Sequence, residues 1–148
     1  MLYSKMINKA LRISFDAHKN QVDKSDIPYV YHPFHLAEQM DDEKSVIVAL
    51  LHDVVEDSDY TIEDLKDVGF DKDILDAISL LTHKRYVPYM EYIKKIKPNP
   101  LAKKVKIADL KHNSDISRNE IIDIKSQKRF KKYREALAIL EEEDKKPC

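Results

Sequence analysis

Apolar residues recur at three- and four-residue steps along most of this chain, the spacing of a buried helix face. Leu2, Met6, Ala10, Ile13 and Ala17 trace such a face and predict an amphipathic helix over residues 2 to about 19. Residues 20–31 are polar and proline-broken, which predicts a loop. His32-Pro33 then opens a short helix to about Met40, because proline suits the first helical position. Asp41-Asp42 caps the next helix, about 43–55, whose apolar run from Val46 ends in His52, Asp53, Glu56 and Asp57. Thr61-Ile-Glu-Asp64 reads as a capped helix start and Gly69 as its stop. Helices follow at about 71–83 and 87–97, and Pro98-Asn-Pro100 separates the latter from one at about 101–116. A charged helix over about 119–143 ends the pattern, with no internal repeat and no interdomain linker.

Composition sharpens this into a fold class. Gly69 is the only glycine, and neither Asn-Gly nor Asp-Gly occurs, so the tight turns of hairpins have no residues to form them. The expectation is an all-α protein, one helical bundle over residues 1–148, since 148 residues suit a single sizeable core. With 43% hydrophobic and 36% charged residues it should be soluble and globular. A formal net charge of −1 gives no global pull toward nucleic acid or an anionic membrane. The one cysteine, Cys148, leaves no internal disulfide to form, and no segment has the length of apolar sequence that spans a bilayer. With no apolar signal core at the N-terminus, the expected location is the cytoplasm.

The chemistry is concentrated at His52-Asp53 and Glu56-Asp57. On a continuous helix His52 would lie one turn below Glu56, and Asp53 one turn below Asp57. Burying that much charge at the end of an apolar run is costly unless something compensates it, and a metal ion would do so. His32 stands where its ring can reach a neighbouring helix, and Asp109 is a carboxylate in the mostly apolar stretch Val105-Lys-Ile-Ala-Asp109-Leu. Two histidines and two carboxylates form a mixed nitrogen and oxygen set, suited to Mn²⁺, Fe²⁺ or Zn²⁺. A metal so held can polarise a phosphoryl oxygen and acidify water.

The order His…His-Asp…Asp resembles the signature of the HD superfamily of metal-dependent phosphohydrolases. More narrowly, the chain resembles the hydrolase domain of RelA/SpoT proteins and the small alarmone hydrolases, which remove pyrophosphate from the 3′ position of (p)ppGpp. The matching pieces are Ala17-His18-Lys-Asn-Gln21 and Pro28-Tyr29-Val-Tyr-His32-Pro33, then Ala49-Leu-Leu-His52-Asp53-Val-Val-Glu56-Asp57 with Thr61, and Val105-Lys106-Ile-Ala108-Asp109-Leu-Lys-His-Asn113. They span roughly residues 10–118. The resemblance implies His32, His52, Asp53 and Asp109 as metal ligands, with Mn²⁺ the usual ion. It implies Glu56 and Asp57 as the acidic pair that activates water, and Asn113 and Lys24 as nucleotide contacts. It also implies hydrolysis without synthesis, since 148 residues leave no room for a synthetase half. One loop departs from the family's usual Arg-Lys-x-Gly. Asp23 stands where an arginine packs on guanine, and Asp26 replaces the glycine. Losing a stacking cation and gaining a carboxylate should both weaken binding of an anionic nucleotide.

Other candidates carry weaker expectations. His18 can border the site or be a capped surface histidine, and His35 can support His32 from one turn away or simply pack. His83 and His112 are expected to face solvent. Lys84 and Arg85 are candidates for phosphate contact, Lys106 for neutralising a phosphate, and Tyr86, Tyr89 and Tyr92 for packing or for offering rings to a nucleotide. The basic run Lys125, Lys128, Arg129, Lys131, Lys132 and Arg134 is threaded by Phe130, Tyr133, Leu137 and Leu140, the pattern of an amphipathic helix with a solvated face rather than of a nucleic-acid site. The expected partner is a phosphorylated nucleotide, and nothing in the sequence sets an oligomeric state. The alternatives are an HD hydrolase of a different phosphorylated nucleotide and a module that senses a nucleotide without cleaving it.

Overall fold

Helix boundaries follow from local caps. The computed structural model describes residues 3–115 and 124–142. Leu2, Cys148 and the two ends expected for the last helix lie outside these. Ser4 accepts the Ile7 N–H and starts α1 (Lys5–His18). The loop that follows is closed by Asp23 N–H to Ile27 O and Tyr29 N–H to Gln21 O, both 2.8 Å, with an isolated bridge between Val22 and Pro28. No strand occurs among the described residues. The next helix, α2 (Tyr31–Glu38), begins one residue ahead of His32. Asp42 accepts the Ser45 N–H at 2.9 Å and caps α3 (Glu43–Leu51).

Here the sequence expectation fails. The helix does not run on to residue 55: it stops at Leu51, and a separate turn, α4 (Val54–Asp57), begins after Asp53. Asp53 sits at φ −107, ψ 0, outside the helical region. Val54 and Val55 prolong the apolar pattern, so the break is silent in the sequence.

Thr61 and Asp64 form a reciprocal capping box at α5 (Ile62–Val68), and Gly69 ends it at φ +108, which favours glycine. Then come α6 (Lys72–Leu81), α7 (Tyr89–Ile96), α8 (Pro100–Asn113), capped by Asn99, and α9 (Ile124–Glu141).

The middle of the molecule is α3. Every residue from Val46 to Leu51 is fully buried, so it is apolar all round, as a central helix must be. Around it pack α1, α2, α6 and α8, while α9 lies across α7 and α8. The C-terminal end of α3 therefore delivers His52 into an interior walled by α2 and α8.

Candidate metal centre

The break after Leu51 determines what the site can do. Successive residues of a regular helix point about 100° apart. Leaving the helix at Asp53 turns both side chains to one place, and His52 Nε2 lies 3.0 Å from Asp53 Oδ2 and 3.6 Å from Asp109 Oδ1. The His52 ring is fixed from behind, where its Nδ1 donates to the Ala49 carbonyl at 2.7 Å. That bond leaves the Nε2 lone pair facing the two carboxylates. His52 is 2% exposed, and its Nε2 lacks the alignment of a hydrogen bond to either of them. A buried nitrogen between carboxylates, without a hydrogen-bond partner, fits a metal ligand.

Asp109, from α8, is the other anchor. Its Oδ1 receives His32 Nε2 at 2.7 Å and the Asn113 amide at 3.0 Å, and its Oδ2 receives the Lys106 ammonium at 2.8 Å. Burial alone would raise its pKa, but the Lys106 charge and the two histidine rings hold the carboxyl well below the usual carboxylate range. Likewise, burial disfavours a charged His52 ring, yet Asp53 and Asp109 push its pKa well above the ordinary histidine value. A divalent cation would replace the proton that this arrangement attracts. The ligand atoms of His32, His52 and Asp109 lie within 4.8 Å of one another, and those of Asp53, Glu56 and Asp57 form a second such group. The donor set thus suits a divalent metal.

The acidic pair stands just outside. Burial pushes the Asp57 carboxyl up to about 6, with the charges of Asp53 and Glu56 adding to it. Burial also raises Glu56, partly offset by the His83 N–H at 2.6 Å. Tyr29, whose hydroxyl donates to Asp53 Oδ2, is held protonated by its burial and by the neighbouring carboxylates.

Two expectations about histidines are overturned. His83 is half-buried: its Nε2 donates to the Val87 carbonyl at 2.7 Å and its ring stacks on Tyr92. His112 is buried against His32. His18, 1% exposed, bonds Gln21 at 2.8 Å and meets the edge of Tyr29, and His35 packs on His112.

Two cavities adjoin the cluster. One, of about 200 Å³, is lined by the acidic pair, Asp53, Asp109, Lys106, Lys132 and the rings of Tyr89 and Tyr92. The other, of about 410 Å³, lies between the Asp23–Lys24–Ser25 loop and Arg129, Phe130 and Tyr133 of α9. Tyr29, Asn113 and Tyr133 belong to both. Lys24, Lys106 and Asn113 therefore stand on cavity walls, whereas Lys84 and Arg85 are exposed and line neither. Tyr92 packs inward and donates to the Leu81 carbonyl, and Tyr86 is exposed.

Sequence reasoning missed Arg129 and Lys132, read as part of a solvated face. Lys132 sits 4.5 Å over the Tyr89 ring. The signal was available in their spacing: both flank Phe130 and Tyr133 on the stripe that turns inward.

The all-α bundle thus gathers histidines and carboxylates, a donor set suited to a divalent metal, at a break in its central helix. No family model matches the chain. It is similar to the GTP pyrophosphokinase of Streptomyces coelicolor, 32% identical over 147 residues that take in 91% of this chain and 17% of that protein. It is also similar to the bifunctional (p)ppGpp synthase/hydrolase SpoT of Escherichia coli, 35% identical over 78 residues, covering 50% of this chain and 11% of that one. A third relative is the guanosine-3′,5′-bis(diphosphate) 3′-pyrophosphohydrolase of Haemophilus influenzae, 44% identical over 59 residues, or 37% of this chain and 9% of that one. The chain thus spans at most 17% of the length of these relatives. A solved structure of a metazoan orthologue of SpoT, a protein that hydrolyses ppGpp, shares the fold with a TM-score of 0.75 at 23% identity, over 95% of this chain and 88% of that one. The chain is thus similar to one segment of RelA/SpoT-type proteins and shares the fold of the metazoan SpoT structure.

Proposed function

We propose that the chain is a metal-dependent phosphohydrolase that removes the 3′-pyrophosphate from (p)ppGpp-like guanosine nucleotides, with Mn²⁺ as its ion. The observation that carries this reading is that Tyr29, Asn113 and Tyr133 line both cavities, which sets the His/Asp cluster beside a space of nucleoside size. His32, His52, Asp53 and Asp109 would hold the cation. Bound there, it supplies Lewis acidity toward a phosphoryl oxygen.

The remaining work falls to the chain's own side chains. Lys106, Lys132, Lys24 and Arg129 place positive charge along both cavities. Lys132 is held below the ordinary lysine value by burial and by the like charges of Lys106 and Arg129, a repulsion that a phosphate between them would relieve. Glu56 and Asp57 orient a water, and Asp57, at about 6, is matched to accept its proton near neutrality. The water oxygen bonds to the phosphorus nearest the 3′ oxygen as that ester bond breaks, and the proton taken from the water passes to the leaving 3′ oxygen, releasing pyrophosphate and, from ppGpp, GDP. Tyr29 and Lys106 hold Asp53 and Asp109 in place.

Product analysis of Mn²⁺-loaded protein incubated with ppGpp tests this. GDP and pyrophosphate should appear with the wild type and not with Glu56→Ala. Release by both would remove Glu56 from the role given to it. No release from a folded, metal-bound sample would reject the reaction.

A second reading, hydrolysis of a different phosphorylated nucleotide, is favoured by Asp23. Its carboxylate faces the loop itself, accepting the Ser25 and Ile27 N–H groups at 2.8 and 3.1 Å, in the place of the family's stacking arginine. A panel of 3′- and 5′-phosphorylated nucleotides separates the two. Tight binding without turnover of any would identify a sensing module.

A further inference from the structure

His112 lies on α8, three residues beyond Asp109, and is 7% exposed. Its Nδ1 approaches the Nδ1 of His32 to 2.6 Å. The two rings are within 5° of parallel, with centroids 4.9 Å apart. The centroids are farther apart than the two nitrogens by about one ring's width, so the rings lie edge to edge in a shared plane rather than face to face. That is the geometry of an in-plane N–H···N hydrogen bond, with a single proton between the rings. His35 packs on the far side of His112 at 4.2 Å, and Tyr31 meets it at 5.9 Å.

The other nitrogen of His32, Nε2, points into the cluster at Asp109. A histidine that gives Nε2 to a cation carries its proton on Nδ1, and the partner of that proton fixes both tautomer and ring plane. For His32 to serve as a ligand, His112 Nδ1 must accept and His112 must carry its own proton on Nε2. We propose that His112 is a positioning residue of the metal centre, whose Nδ1 accepts the Nδ1–H of His32 and so fixes the tautomer and plane in which His32 presents Nε2 to a divalent cation. This rests on the metal centre proposed above, and His112 does not itself touch the ion.

The test is calorimetric titration of metal-stripped protein with Mn²⁺, comparing wild type, His112→Phe and His112→Asn. Phenylalanine keeps a flat ring but has no acceptor, whereas the asparagine Oδ1 can take the place of Nδ1. The expected result is Mn²⁺ binding weakened about 10- to 100-fold in His112→Phe, with unchanged helical circular dichroism, and restored to within a few-fold of wild type in His112→Asn. In diamagnetic Zn²⁺-loaded samples, the His32 Nδ1 proton should be visible by NMR in wild type and His112→Asn and lost in His112→Phe. Binding by a folded His112→Phe as tight as wild type would overturn the proposal, as would an equal loss in both variants. Should His112→Phe not fold, the asparagine variant decides: retained affinity with a retained His32 proton supports the role, and loss of either overturns it. A wild type that binds no Mn²⁺ would remove the metal centre itself, and this role with it.

Discussion

His52 and Asp53 are sequence neighbours whose side chains a regular helix would separate, and both stand in the break between α3 and α4. The residue types were legible in the sequence, because buried histidines and carboxylates in an apolar run demand compensation. Their geometry was not, because no glycine, proline or side-chain cap marks the break, and Val54 and Val55 carry the apolar pattern past it. Removing the ring tests the assignment directly. His52→Ala should lose stoichiometric Mn²⁺ by elemental analysis while its far-ultraviolet circular dichroism stays that of the wild type. Arg129 was passed over because a basic residue in a charged run looks solvated until its helix is docked. Arg129→Ala should raise KM for a nucleotide substrate about tenfold, the order of one charged hydrogen bond, with little change in kcat. An unchanged KM in steady-state kinetics would remove Arg129 from the cavity wall's function.

Elements are specified more locally than sites. Ser4, Asp42, Thr61 with Asp64, and Asn99 cap four helices, and each bond spans only three residues, which is why these starts could be anticipated to within a few positions. The failures fall where the apolar pattern outlasts the helix, at Val54 and Val55. Asp42 also carries a pH signature. Burial would raise its carboxyl, but the Ser45 hydrogen bonds and Lys104 bring it down to about 2. A carboxyl depressed in the folded state stabilises above its unfolded value near 3.8 and loses that contribution as pH falls toward 2. Asp42→Ala should therefore cost about 1 kcal/mol near neutral pH, mostly from the cap, since the exposed Lys104 pair is screened. The gap between wild-type and variant urea midpoints should close between about pH 4 and pH 2.

At the scale of the molecule, the all-α class was readable from helical spacing and from the lack of hairpin-turn residues. Which wall α9 would supply was not, because docking between distant helices leaves no local trace. The central helix sets the stability: Leu50→Ala, at a fully buried position, should cost about 2–5 kcal/mol by chemical denaturation. A cation held by ligands from α2, α8 and the end of α3 would tie three elements together, and it would bind only where they are assembled. Mn²⁺ at 100 times its Kd should add about 2.7 kcal/mol, and a chelator should lower Tm by a matching amount in a thermal melt. A melt indifferent to Mn²⁺ and chelator would mean that the cluster does not hold the ion in the native state.

In the Asp23–Asp26 loop the two departures from the family's pattern meet in a single turn. Asp26 occupies the left-handed region at φ +64, the conformation for which the family's glycine is suited, and its N–H donates to the Asp23 carbonyl. Asp23 secures the same turn through its side chain. The two exchanges are therefore epistatic. With Asp23 bracing the turn, an aspartate is held at 26 where a glycine would sit at less cost, so the energetic effect of changing either residue depends on which one stands at the other.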